Sequence, residues 1–286
     1  MRLIGLVAVS ALALVGCASV DGKPDGGSQG KAVSGRDLNG KVREAIAKKL
    51  TTTAHLSGSA IGSGADGVLR LDRENFGMSF QMKPSESGGA AMKMLVVAQG
   101  YFVSAGTKVD GKEWVKLVGD RIDPISSMLG GIVQAVQTNV DLDNVQRNLL
   151  LAQDVEETGT ETLGGVKATH YRMPMDAAAI KTQLPPTLPA DQAQSLLDSA
   201  TGTIDFYLDP DHLPVKVVNT VKTPKGNASS TVTYEKWGQP VTVPLPTASQ
   251  ILDLASDHDV QALNQFLAKV TGQDPNVVPS EPALQP

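Results

Sequence analysis

The chain has 286 residues, with 25 Lys and Arg against 30 Asp and Glu, a formal net charge of −5, and both signs dispersed along its length. No basic stripe is available to track a phosphate backbone, so nucleic acid is not expected as a partner. Aromatic residues make up 4% and eight methionines join an aliphatic majority, so any interior is soft and suits flexible hydrocarbon better than flat rings.

Residues 1–16 read as an export signal: Arg2 is a single positive charge, and residues 3–15 are apolar apart from Gly5 and Ser10. The run is shorter than the ~20 residues that a spanning helix requires. It ends in Leu14, Val15, Gly16 and Cys17. A branched aliphatic, a small residue at the cut and then a thiol form a lipobox, in which the cysteine accepts the lipid. Cys17 is the only cysteine, so there is no disulfide framework, and a bare thiol in an exported chain would invite intermolecular pairing. Cys17 is therefore the expected lipid attachment, on the extracytoplasmic face of the cell membrane. Residues 17–35, rich in Ser, Gly, Asp and Lys, read as a flexible tether reaching roughly 20–25 Å.

Residues 36–272 are expected to form one domain. Leu38, Val42, Ala45, Ile46, Ala47 and Leu50 mark an amphipathic helix over residues 37–50. Strand patterns follow at 54–61 and 68–73, around a Gly-rich hairpin turn at 62–67. Phe76, Met78, Phe80 and Met82 alternate with small and polar residues, a period of two that puts four large side chains on one face. Met92, Met94 and Val96 repeat the theme, and strands at 101–104 and 113–117 flank a turn containing Asp110 and Gly111.

Asp123 as cap and Pro124 at the first helical position then open a helix whose apolar stripe is Ile125, Met128, Leu129, Ile132, Val133 and Val136. Gly130 and Gly131 interrupt it at about 1 kcal/mol each relative to Ala, which implies either close backbone packing or built-in looseness. A second helix is expected over 142–152. Strands resume at 154–160, 166–173, 203–208, 215–223 and 230–237, with helical stretches at 176–183 and 191–199. Asp209, Pro210 and Asp211 mark one turn and residues 224–227 another. Helical segments at 248–256 and 259–270 close the domain, and the proline-rich 273–286 reads as a disordered tail. The sum is an α+β fold with a long antiparallel sheet.

Catalytic machinery is not visible. His55, His170, His212 and His258 show no metal-ligand spacing and read as strand or turn residues. There is no Gly-x-Ser-x-Gly elbow, and Asp141 with Asp143 reads as the capping charge of a helix rather than as a calcium site. No metal or cofactor is implied.

The order of elements resembles the LppX/LprAFG-type lipoproteins of mycobacteria and their actinobacterial relatives, which are similar to LolA-like lipid carriers. The resemblance runs over residues 36–254. It is carried by Gly111-Lys112-Glu113-Trp114-Val115-Lys116, Asp123-Pro124 and Gly165-Val166-Lys167-Ala168-Thr169-His170-Tyr171-Arg172 with Asp176. Leu213-Pro214-Val215-Lys216-Val217 and Trp237-Gly238-Gln239-Pro240-Val241-Thr242-Val243 continue it. Residues 257–270 and the tail are extra.

What the resemblance implies is a strongly curved antiparallel half-barrel, covered on its concave face by helices, with an acyl-chain cavity between. Phe76, Met78, Phe80, Met82, Met94 and Val96 would line the sheet side, and Ile125, Met128, Leu129, Ile132, Val133 and Val136 the helical lid. It further implies a monomer that carries acylated lipids or glycolipids across the cell envelope, with a membrane transporter as a further partner. Such shielding has a physical purpose, because two long chains crossing water at about 0.8 kcal/mol per methylene face a barrier of roughly 20 kcal/mol or more. The competing expectation is a solid-cored adaptor or assembly lipoprotein that binds a transporter or an envelope enzyme.

Overall fold

The computed structural model describes residues 30–58, 64–72, 74–84, 90–117, 124–152, 154–175, 201–223 and 226–253, together with 194, 264–266 and 268. Cys17, most of the tether, the tail and the stretch 176–183 lie outside the described residues, as does 191–199 apart from Gln194.

The period-two segments fold into one sheet of thirteen strands. β1 (Lys31–Val33) is followed by β2 (Thr51–Gly58), β3 (Ala65–Arg70), β4 (Gly77–Met82), β5 (Met92–Val97), β6 (Gly100–Ser104) and β7 (Trp114–Leu117). Then come β8 (Val155–Leu163), β9 (Val166–Met175), β10 (Thr201–Leu208), β11 (Pro214–Thr223), β12 (Gly226–Glu235) and β13 (Ile251–Asp253). The spatial order is β1-β8-β9-β10-β11-β12-β2-β3-β4-β5-β6-β7-β13. Two meanders, β2–β7 and β8–β12, are joined where β12 pairs antiparallel with β2, and only the β7–β13 pair is parallel. The tight turn between β6 and β7 is of the kind expected: Asp110 and Gly111 both have positive φ, 49° and 75°, between the paired Val109 and Lys112.

Helices α1 (Gly35–Lys48), α2 (Pro124–Val140) and α3 (Leu142–Leu151) each bury an apolar stripe; of the residues expected in the first, Ala47 is exposed and Leu50 lies exposed beyond the helix end. Leu38, Val42 and Ile46 of α1, Leu129, Val133, Val136 and Val140 of α2, and Val145 and Leu149 of α3 join a single core with Leu56, Leu69, Phe80, Met94, Phe206 and Val232 from the strands. The helices thus cover one face of the sheet. Phe266, in the C-terminal extension, is also fully buried in this core, so at that point the extension packs back on the body.

Among the described residues, the opposite face is covered at one end. Leu95, Val97, Phe102 and Trp114 form a second cluster with Val243, and β5 to β7 are consequently apolar on both faces. The segment carrying Val243 ends in a single 3-10 turn, Ala248–Gln250, followed by β13. The helix expected over 248–256 is therefore corrected for residues 248–253. Gln250 Oε1 accepts the Thr247 N–H at 2.9 Å and closes one turn, after which the unpaired edge of β7 takes up the backbone of Ile251–Asp253. Two further differences are smaller. β3 begins at Ala65, so residues read as turn already pair with Leu56 and His55, and β1 falls within the stretch read as tether, paired with β8.

Gly67 shows why its position has no side chain, since a Cβ there would stand 2.4 Å from the Ser79 carbonyl and 2.6 Å from the Phe80 ring. Gly67→Ala is expected to destabilise the fold by about 1–3 kcal/mol through overpacking, read as a lower urea midpoint with an unchanged slope.

Candidate functional site

The neighbouring strands β4 and β5 place Met78 opposite Val96 and Phe80 opposite Met94, so four soft or aromatic side chains share the inner face. Val133, Val136 and Gln137, one face of α2, close over them around a crevice of about 10 Å³. That is room for roughly one water, far below the ~300 Å³ at which small-molecule pockets begin. At this place the described residues leave no room for an acyl chain.

Six residues expected to line a cavity meet at this crevice: Met78, Phe80, Met94 and Val96 from the sheet, and Val133 and Val136 from the helix. Phe76, Met82 and Ile132 are partly buried and pack on the same core, and Leu129 is buried in it without reaching the crevice. Ile125 and Met128 belong to the first turns of α2, where side chains lie outside the described residues, as Cys17 does. Gln137 was not anticipated because it is polar, although it stands four residues after Val133 and thus on the same helical face.

α2 differs from its neighbours in the charges of its terminal turns, while Asp123, its expected cap, lies outside the described residues. Ser34 caps α1 by accepting the Asp37 N–H at 3.2 Å, with Lys48 in the last turn, and Asp141 caps α3 by accepting the Asp143 N–H at 2.9 Å. α2 has neither an acid in its first turn nor a base in its last, so no side-chain charge in those turns complements its dipole. A Cβ at Gly130 would meet nothing within 4 Å. Close packing therefore does not explain that glycine, and its cost of about 1 kcal/mol relative to Ala stands uncompensated. The C-terminal end of α2 is pinned instead: Tyr234 donates to the Val140 carbonyl at 3.3 Å, and Ser230 donates to Asn139 Oδ1. Complete burial pushes the Tyr234 phenol far above its ordinary range, so it stays a neutral donor.

A second crevice of about 10 Å³ lies beyond that end. Thr138, Asn139, Asp141, Asn144 and Asn148 line it from the helices, and Ile204, Phe206, Val217 and Asn219 from β10 and β11. Burial is the largest influence on the Asp141 carboxyl and pushes it above the usual carboxylate range; the Asp143 N–H and the Arg147 charge work the other way.

On the opposite face, His170 and Arg172 of β9 both reach Asp205 Oδ1 at 2.7 Å, satisfying a buried carboxylate. His170 stacks on Tyr207 with centroids 4.4 Å apart, and His55 pairs with Asp66. His212 occupies a turn, with φ 66°, where Asp209 Oδ1 accepts the Leu213 N–H. Among the described residues no three His, Cys, Asp or Glu converge on a metal position, and no described helix is long and apolar enough to cross a membrane.

The chain is similar to bacterial lipoproteins of the LppX and LprF kind. The Mycobacterium tuberculosis lipoprotein LppX aligns over 73% of this chain and 98% of its own, at 15% identity and TM-score 0.46. LprF from Mycobacterium bovis aligns over 75% and 97%, at 15% identity and TM-score 0.47. Among curated proteins, an uncharacterized 31.2 kDa protein in the rplA–rplJ intergenic region of Streptomyces griseus is 25% identical over 206 residues, 68% of this chain and 67% of that protein. A candidate lipoprotein of Streptomyces coelicolor is 26% identical over 170 residues, 58% of this chain and 52% of that one. No family model matches the chain.

The Asp141 environment has a testable sign. A raised carboxyl means that charging costs more in the fold than in the unfolded chain. The penalty is absent at low pH, sets in as pH rises through the unfolded value of about 3.9, and is complete above the folded one. Asn caps as well as Asp, so Asp141→Asn is expected to raise the melting temperature at pH 7 and leave it unchanged at pH 3 in thermal melts.

Proposed function

We propose that the protein is a non-enzymatic lipid carrier, tethered to the outer face of the cell membrane through acylated Cys17, which takes up acylated lipids or glycolipids between its sheet and α2. The observation that carries the reading is the crevice of Met78, Phe80, Met94, Val96, Val133 and Val136 beneath a helix whose Gly130 has no packing role. The name of the Streptomyces coelicolor relative, a candidate lipoprotein, agrees with the lipobox and the membrane anchor.

A curved sheet belongs to this proposal. β4 and β11 stand four strand intervals apart, about 19 Å in a flat sheet, whereas a helix with its side chains is only ~10–12 Å across. Val136 of α2 nevertheless lines the crevice over β4, and Asn139, one turn on, lines that over β11. A sheet that wraps around α2 accounts for both.

The energetics of opening are feasible. Swinging the N-terminal part of α2 away exposes Leu129, Val133 and Val136, at about 1.5–3 kcal/mol each. An incoming chain recovers ~0.8 kcal/mol per methylene, so about a dozen methylenes offset the cost. The smallness of the closed crevice favours one rival, a solid-cored adaptor that binds a transporter or an envelope enzyme.

Mass spectrometry on extracts of the heat-denatured protein from a native host separates the two: the carrier yields stoichiometric acyl lipid, and its absence from several preparations leaves the adaptor. Gly130→Ala is expected to stabilise α2 by about 1 kcal/mol and to lower the open population about fivefold. Uptake of a fluorescent acyl lipid from vesicles should slow to match, and a more stable variant with unchanged uptake would contradict the lid.

A further inference from the structure

The crevice over β10 and β11 has a composition that the aliphatic one lacks. Its floor is Ile204, Phe206 and Val217, and its rim is carboxamide and carboxylate. Asn144 donates its Nδ2 to the Thr138 carbonyl at 3.1 Å, and Asn219 donates its Nδ2 to Ser230 Oγ at 3.4 Å. Their Oδ1 atoms, with the second oxygen of Asp141, remain as acceptors at the rim. Asp141 and Asp143 outnumber the one cation beside them, Arg147. A hydroxyl, which both donates and accepts, suits this mixture of carboxamides and carboxylate, whereas a phosphate would add negative charge beside Asp141 with one cation, Arg147, to offset it.

Position links this crevice to the aliphatic one. Val136 borders the first and Asn139 the second, one turn apart on α2. We propose that the crevice at the α2–α3 corner is the polar end of the ligand site, where Asn144, Asn219 and Asp141 accept hydrogen bonds from an uncharged, hydroxyl-bearing headgroup and reject a phosphorylated one. This rests on the lipid-carrier reading and specifies which acyl lipids the carrier selects. The tail lies under the N-terminal half of α2, and the headgroup hydroxyl sits at the pinned end.

The test uses the full mature chain and three probes that share an oleoyl tail: dioleoylglycerol, dioleoyl phosphatidate and methyl oleate, each measured by equilibrium transfer from vesicles. Dioleoylglycerol should bind about tenfold more tightly than the phosphatidate, the scale of two neutral hydrogen bonds against none. Asp141→Asn keeps the helix cap but replaces an anionic acceptor with an amide, and should narrow that gap to less than threefold, mainly by improving phosphatidate binding. Asn219→Leu should lower the ratio of dioleoylglycerol to methyl oleate affinity severalfold; if that variant fails to fold, Asp141→Asn still decides. Equal affinity for dioleoylglycerol and phosphatidate, or a gap untouched by Asp141→Asn, overturns the headgroup site while leaving the carrier intact. Failure of all three probes, methyl oleate included, overturns the carrier reading and this inference with it.

Discussion

Every other feature of the structure depends on covering one continuous hydrocarbon face. The inner side chains of β2 to β12 form a single apolar surface, and a sheet left bare over that width would aggregate. Three described helices supply the cover, and they do so unequally. α1 and α3 have side-chain caps and lie against each other. α2, whose expected cap Asp123 lies outside the described residues, is buried and held by two hydrogen bonds near its C-terminal end.

That division makes a closed interior compatible with carriage. Packing that fills a crevice is adaptable when it consists of methionine and valine under a helix able to swing. An acyl chain replaces the lost contacts with others of the same kind, so the free-energy difference between closed and loaded forms is small beside the cost of the chain in water. The outer face shows the contrary arrangement, with Asp205 held by both His170 and Arg172 on adjacent strands, as befits a surface that stays put.

Much of this was legible in the residues because local periodicity and tertiary role agree there. The alternation from Phe76 to Met82 marks the inner face of β4, and the 3.6-residue stripe of α2 marks the side that meets it. What was not legible arises from long-range pairing. Ile251–Asp253 has nothing in its neighbourhood to favour a strand; the free edge of β7 decides it. Asn144 and Asn219 lie far apart in sequence with no motif between them, and only the packing of α3 over β11 makes one rim of them. Asp141 was readable as a cap, which it is, but its place in a crevice required the fold. Gly130 and Gly131 carried two meanings in the sequence, tight packing or looseness; the open space beside Gly130 speaks against the first there, while the surroundings of Gly131 lie outside the described residues.

The central claim is that α2 opens by unwinding its N-terminal half, hinged at its pinned end, while the sheet stays folded. Native-state hydrogen exchange measures this directly, amide by amide, in the lipid-free protein. The account predicts that amides of the N-terminal half of α2, around Gly130, exchange through an opening that costs several kcal/mol less than global unfolding, while those of β4, β5 and β12 remain protected to the global limit. Exchange of α2 only together with the strands would contradict it.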